Sequence, residues 1–200
     1  TTAGVKNIKK VFNLVTAQGW ETKYGDTDSL YIGAPERYFD AIDRQYYSGE
    51  KDKDWYWDQL VLITFDKIKN IKKLVNDFLA SDNGTAFLRM AFEEALFPVA
   101  FLAKKKYYGI AHESIPNFNF VELFIRGLEI KKRGTSDFLR KVFEDGLINI
   151  SVRKDNYKSL MELAVDQIEF IYSDMKTSFD DFIKTDVFKP KKQNVKVQTF

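Results

Sequence analysis

Apolar residues recur at helical spacing in three parts of the chain. In residues 4–17 they fall every three or four positions, and the pattern stops before Gly19. This spacing is typical of an amphipathic helix. Residues 35–79 show the same spacing with a charged interruption at 49–54, and a third such part follows Gly134. The pattern predicts helices in all three parts.

Short apolar runs between these parts predict strands. Residues 20–24 and 30–33 flank the polar stretch 25–29, and this arrangement is typical of a β-hairpin. Four further strands are predicted at residues 87–93, 97–103, 107–111 and 121–125. The order of elements predicts an α+β fold, with an antiparallel sheet backed by helices and a mainly helical part after it.

Composition excludes several classes of protein. Hydrophobic residues make up 44% and charged residues 30% of the 200 positions, so we expect a packed core and not a disordered chain. The absence of cysteine excludes a disulfide scaffold, a thiolate zinc site and a cysteine nucleophile. The single His112 excludes a histidine-rich metal site. The longest uncharged run, 95–103, is too short to span a bilayer, so we expect no membrane partner.

Local charge is more informative than net charge. The total of 31 basic and 29 acidic residues gives a net charge of only +2. Compact basic runs stand at residues 104–106 and 131–133. Either run alone is typical of a solvated surface, and its placement in the fold decides whether it contacts nucleic acid.

Two carboxylates stand at the tip of the predicted hairpin, in Asp26-Thr27-Asp28. Side chains two positions apart in a strand point to the same side, and a tight bend also brings them together. Such carboxylates repel unless a cation lies between them, and hard oxygen ligands suit Mg²⁺. Alternatively, these residues and Ser29 only satisfy backbone groups of the turn. The full string from Tyr24 to Tyr31, between apolar strands, favours the metal-binding interpretation.

That string, YGDTDSLY, resembles the YxDTDS motif that family B (polymerase alpha-like) DNA polymerases carry on a β-hairpin of their palm domain. Residues 1–4 and the helix after them resemble the palm helix that precedes this hairpin. Three later segments resemble family landmarks in the family order. They are RMAFEEALFP at 89–98, KKKYYG at 104–109, similar to the KKxY element, and RGLEIKKR at 126–133, which resembles the segment leading into the thumb.

The resemblance implies template-directed addition of deoxynucleotides to a primer 3′-hydroxyl, with two Mg²⁺ ions as cofactors. Asp28 matches the direct bridging ligand, and Asp26 matches the acid nearer the outer shell; these two are the predicted catalytic residues. Glu93, five residues before Pro98, matches the acid near the triphosphate-side metal.

The resemblance also implies contacts with primer–template DNA. Lys105 and Tyr107 match residues that face the minor groove near the growing primer end. Lys131, Lys132 and Arg133 match residues that face the duplex backbone. The implied partners are primer–template DNA, deoxynucleoside triphosphates and replication accessory proteins. The implied location is intracellular, at the site of DNA replication, in the nucleus or a viral replication compartment.

The resemblance divides the chain into the C-terminal part of a palm, residues 1–134, and the truncated start of a thumb, residues 135–200. Many family members have Asp where this chain has Gly134, so we expect a different loop there. The first palm aspartate, the fingers and the exonuclease of the family would precede residue 1. We therefore expect a fragment of a longer polymerase that is inactive alone.

Two other classes of protein are alternatives. The first is a non-catalytic nucleic-acid-binding module with a degenerate palm, which the retention of Asp26, Asp28 and Glu93 disfavours. The second is a two-metal phosphohydrolase. That enzyme needs further Asp or His ligands, and the sequence shows no cluster that would supply them.

Overall fold

The computed structural model describes residues 2–26, 28–120, 122–173 and 178–185. These residues form two compact units. The first unit holds the described residues up to Lys105 together with Gly109–Phe124, and the second holds Lys106–Tyr108 and the described residues from Ile125 onward. The two units are defined by how compactly their residues pack, and not by function. The assignment of residues 1–134 to a palm and 135–200 to a thumb therefore stays a prediction.

The first unit opens with helix α1, Thr2–Ala17, followed by strands β1, Glu21–Gly25, and β2, Leu30–Gly33. Gly19 turns the chain between α1 and β1 at a φ of +85°, where a side chain would be strained. The two strands pair antiparallel, from Glu21 opposite Gly33 to Gly25 opposite Leu30. The predicted helix and hairpin are therefore confirmed.

Two helices follow the hairpin, α2 at Asp40–Tyr47 and α3 at Lys53–Asn83. Helix α3 begins where it does because the Asp52 carboxylate accepts a hydrogen bond from the Trp55 backbone N–H at 2.8 Å. It ends at Gly84, which adopts a left-handed conformation with φ +68°. The charged interruption predicted between helices thus separates α2 from α3.

The core of the first unit joins one face of α1 to one face of α3. Leu30 and Ile32 of β2 pack against this core, so the hairpin is fixed to both helices. Burial of each large apolar side chain contributes about 1.5–3 kcal/mol. The buried core residues are Val11, Val15, Trp20, Ile71, Val75 and Leu79.

A second, three-stranded sheet has the order β3-β4-β5, with strands Ala95–Ala103, Lys106–His112 and Phe124–Arg126. Within the described residues the hairpin forms its own two-stranded sheet. This corrects the prediction of one antiparallel palm sheet that contains the hairpin. Strands β3 and β4 approach closely because Gly109 has no side chain: a Cβ there would lie 2.5 Å from the Pro98 carbonyl oxygen.

The strand predicted at residues 87–93 does not form, and this prediction was wrong. The Asn76 side chain of α3 binds both backbone groups of Met90: its Oδ1 accepts from Met90 N at 2.8 Å, and its Nδ2 donates to Met90 O at 3.1 Å. These bonds replace those that a neighbouring strand would offer. The segment is therefore held by a helix side chain, and β3 begins only at Ala95.

The second unit is mainly helical in its described part. A short 3₁₀ turn at Glu129–Lys131 precedes a helical stretch whose first turn is capped by the Ser136 hydroxyl, which accepts from Leu139 N at 3.3 Å. Its elements are α4 at Asp137–Arg140, a π-helical segment at Lys141–Ile148, α5 at Asn149–Ser151, α6 at Leu160–Ser173 and a 3₁₀ turn at Phe179–Phe182.

His112 has a structural role at the end of β4. Its Nδ1 accepts a hydrogen bond from Asn117 N at 2.8 Å, so its Nε2 carries the proton and donates to Phe97 O at 2.7 Å. The ring is fully buried. Both ring nitrogens are therefore used in holding β4 to the turn after it and to β3.

Candidate functional site

The tip between β1 and β2 carries the predicted acidic residues. The Asp26 backbone N–H donates to the Ser29 carbonyl at 3.1 Å and closes the turn. The Asp26 side chain keeps 34% of its surface exposed, and Asp28 is an exposed residue. Residue 27 lies outside the described residues. The tip therefore presents the Asp28 carboxylate to solvent and holds Asp26 closer to the protein.

Lys105 forms an ion pair with Asp26. Its Nζ lies 3.1 Å from the Asp26 Oδ2. The hydrogen bond to Asp26, together with the negative charge of that carboxylate, raises the pKa of Lys105. The amine therefore stays protonated at neutral pH and balances one of the two acids at the tip.

The backbone at Lys105 is unusual. Lys105 stands in the turn between β3 and β4 with a φ of +62°, a left-handed conformation that favours glycine. A non-glycine residue there costs roughly 1–3 kcal/mol. The strain coincides with the ion pair, so this turn places an ammonium group beside the acidic tip at a cost in conformational energy.

An aromatic cluster fixes the hairpin to β3. The Tyr31 ring lies 6.1 Å from that of Tyr24 and 5.9 Å from that of Phe101. Such ring pairs contribute about 0.5–1.5 kcal/mol beyond burial. The Tyr31 hydroxyl also donates to the Glu94 Oε1 at 3.4 Å. The hairpin is thus held close to its tip, through the ring of Phe101 and the hydrogen bond to Glu94.

Glu93 and Glu94 lie just before β3 in different environments. Glu93 is exposed, whereas Glu94 is half-buried and contacts the hairpin through Tyr31. Within the described ranges, no group of three or more His, Cys, Asp or Glu side chains is close enough to hold a metal ion. The described part of the chain therefore does not gather Asp26, Asp28 and Glu93 into a complete metal site, and their roles stay predictions.

The predicted DNA-facing cations of the second unit are exposed, and two of them are engaged in ion pairs. Lys131 Nζ lies 2.8 Å from the Glu144 Oε1, and Lys132 Nζ lies 2.6 Å from the Glu129 Oε1. Arg133 is exposed beside them. A phosphate that binds here has to compete with two carboxylates.

Tyr107 is buried, with only 8% of its surface exposed. Any contact between this residue and DNA is limited to that exposed edge, so its predicted place at the minor groove remains a prediction. Lys105, by contrast, keeps 62% of its side chain exposed and can reach a ligand.

Sequence reasoning missed two features of this site. The first is the pairing of Lys105 with Asp26, which the opposite charges of two turns could have suggested. The second is the contact of Tyr31 with Glu94. Tyr31 was part of the hairpin motif and was given no role, and the spacing to Pro98 favoured Glu93 over Glu94.

Over its whole length, the chain is similar in sequence to viral proteins that are named as DNA polymerases. No protein-family model matches the sequence. The chain is 40% identical over 209 aligned residues, covering 100% of its length, to proteins named DNA polymerase beta from African swine fever virus, among them those of isolates Tick/Malawi/Lil 20-1/1983, Pig/Portugal/Lis 60/1960 and Pig/Kenya/KEN-50/1950. The chain spans only 17% of the length of these relatives.

This finding corrects the sequence-based family assignment. The motifs had indicated a family B, polymerase alpha-like enzyme, whereas the matching proteins are named DNA polymerase beta. We therefore withdraw the family B assignment. Asp26, Asp28 and Glu93 remain candidate site residues.

None of the helices in the described ranges combines the length and the apolar character that crossing a membrane requires.

Proposed function

We propose that this chain is part of a template-directed DNA polymerase that transfers deoxynucleotides to a primer 3′-hydroxyl. The observation that carries the proposal is the similarity of the whole chain, at 40% identity, to proteins named DNA polymerase beta. The acidic hairpin tip adds support, because an exposed Asp28 beside a cation-balanced Asp26 suits phosphoryl transfer. The non-catalytic nucleic-acid-binding module remains the alternative.

The donor chemistry of the tip fits Mg²⁺, which prefers carboxylate oxygens. In this proposal Asp28 would bind the metal directly, Asp26 would act from the outer shell, and Glu93 would serve the triphosphate side. The described residues by themselves form no group of three ligands. Two bound Mg²⁺ ions would activate the primer hydroxyl and neutralise the departing pyrophosphate.

The protein's own contribution is the placement of these carboxylates. The cluster of Tyr24, Tyr31 and Phe101 holds the tip end of the hairpin against β3, and Lys105 fixes the orientation of Asp26 at the tip itself. Rates of such reactions depend on placement within about 1 Å, since an error of that size can cost roughly 100-fold. We therefore assign Lys105 a positioning role in addition to its predicted contact with DNA.

The remaining assignments concern the domains and the contacts with DNA. We propose residues 1–134 as part of a palm and residues 135–200 as the start of a thumb, with Lys131, Lys132 and Arg133 on duplex phosphates. Contacts of this kind supply affinity and register but no sequence information. Lys105 and Tyr107 would lie near the growing primer end. The substrates are then primer–template DNA and deoxynucleoside triphosphates, with accessory proteins at the site of replication.

Primer extension tests this proposal. We expect the full-length protein that contains this chain to add the nucleotide complementary to the template. Chelation of divalent cations should stop the addition, and Mg²⁺ should restore it. The same reaction on unprimed template is the control. A protein that binds the primed duplex tightly and adds no nucleotide with any divalent cation would instead be the non-catalytic module.

A double-mutant cycle tests the positioning role of Lys105. We expect Lys105→Gln to slow single-turnover extension by roughly 10- to 100-fold, because Asp26 loses its orienting partner. Asp26→Asn should have a similar effect, and the double variant should be no slower than either single variant, since both changes remove one interaction. Lys104→Gln, in the same turn, is the matched control. Fully multiplicative effects of the two changes would show that the residues act independently.

A further inference from the structure

Three tyrosine rings meet where the end of α2 lies against the start of α3. The rings of Tyr46 and Tyr56 are stacked, with centroids 4.4 Å apart and an angle of 4° between their planes. The Tyr47 ring lies 5.3 Å from that of Tyr46 and 6.4 Å from that of Tyr56, tilted by 58° and 56°. We call these three rings the tyrosine surface. It consists of a stacked pair with a tilted third ring at its side.

The tyrosine surface is open to solvent at Tyr47, which keeps 78% of its area exposed. Tyr46 and Tyr56 are half-buried, and the Tyr56 hydroxyl donates to the Asp43 Oδ1 at 2.8 Å. This hydrogen bond and the stacking hold the pair in place beside the exposed ring. The residues that the proposed function uses lie on other elements. The proposed function therefore leaves Tyr47 without a role.

The stretch that carries these rings is acidic. Residues 40–58 contain six acidic and only three basic residues, although the whole chain is slightly basic. Two of the three bases already lie over aromatic rings. Lys51 Nζ is 5.5 Å from the centroid of the Trp55 ring, and Lys53 Nζ is 5.2 Å from that of Trp57. Because ring faces and carboxylates both attract cations, this stretch favours positively charged groups and repels phosphates.

We propose that the tyrosine surface binds arginine side chains of a basic segment of a partner protein. A guanidinium group is planar, so it stacks on a tyrosine face, and its charge is complementary to the acidic surroundings. Single-stranded DNA also stacks on exposed rings, but its phosphates would meet the excess of carboxylates. A protein partner is therefore favoured over nucleic acid. This inference is independent of the proposed nucleotide transfer.

Binding of a synthetic peptide tests the inference. Fluorescence anisotropy measures the affinity of the full-length protein for a labelled peptide of alternating arginine and glycine. A peptide with citrulline, which keeps the shape of arginine and lacks its charge, should bind more weakly. Tyr47→Ala should weaken binding of the arginine peptide by roughly 2- to 5-fold, the value of one exposed cation–π contact. Tyr47→Phe should keep the parental affinity, because it retains the ring face. Tyr157→Ala, which removes a 90% exposed tyrosine of the second unit, is the matched control.

The inference is wrong if the parent protein binds both peptides equally, or if Tyr47→Ala binds the arginine peptide as tightly as the parent does. Binding of a single-stranded oligonucleotide that depends on Tyr47, without binding of the arginine peptide, would also overturn it. Primer extension by Tyr47→Ala should equal that of the parent, so failure of this inference leaves the proposed function intact. The unfolding midpoint should not change either, since Tyr47 is exposed.

Discussion

Replacing Asp28 with alanine is expected to abolish nucleotide addition by the full-length protein, with a loss of at least about 1,000-fold. The exposed carboxylate is the proposed direct ligand, whereas the neighbouring Asp26 is already paired with Lys105. Affinity for primer–template DNA should change little, because duplex binding depends on cations. Single-turnover extension measures the first effect, and anisotropy on the same duplex measures the second.

Asp26→Ala is the matched control for this experiment. Its carboxylate is already balanced by Lys105 at 3.1 Å, so we expect a smaller loss than for Asp28→Ala. Asp28→Asn keeps the shape of the turn and removes only the charge, and it should be as inactive as the alanine variant. An Asp28 variant that extends primers at a near-normal rate would exclude the assignment.

The second large effect concerns the basic run at residues 131–133. Neutralising Lys131, Lys132 and Arg133 together should flatten the slope of log affinity against log salt for duplex binding by up to about 2.7, or 0.9 for each phosphate contact. The loss should be the same on two duplexes of unrelated sequence, because these contacts carry no sequence information. Extension at saturating DNA should be preserved, since the chemistry uses other residues.

A set of lysines in the first unit provides the control for that variant. Lys9 of α1 and Lys69 and Lys72 of α3 are exposed, and replacing all three by glutamine removes the same total charge. We expect this control to leave the slope unchanged. Equal slopes for the two triple variants would show that the basic run is a solvated surface.

Local pattern predicted most of the helices and the hairpin, because amphipathic spacing and turn residues act within a few positions. It failed at residues 87–93, where the apolar content suggested a strand. There the decisive partner is the Asn76 side chain, which lies on a helix and satisfies the backbone of Met90. A hydrogen bond between distant residues leaves no periodic trace in the sequence.

The candidate site also combines features that the local sequence predicts with features that depend on distant contacts. The carboxylates of the tip could be predicted because Asp26 and Asp28 stand within one short motif. The residues that hold them could not, since Tyr31 meets Glu94 across 63 positions and Lys105 meets Asp26 from another hairpin. Such contacts follow from the packing of the two turns, which the order of elements does not specify.

The ion pair at the hairpin tip also bears on the folding of the hairpin. Two acids on a tight turn repel each other, and this repulsion opposes closure of the turn. Lys105 supplies a positive charge from within the chain. The chain itself therefore offsets part of the repulsion between the two acids, without a bound metal ion.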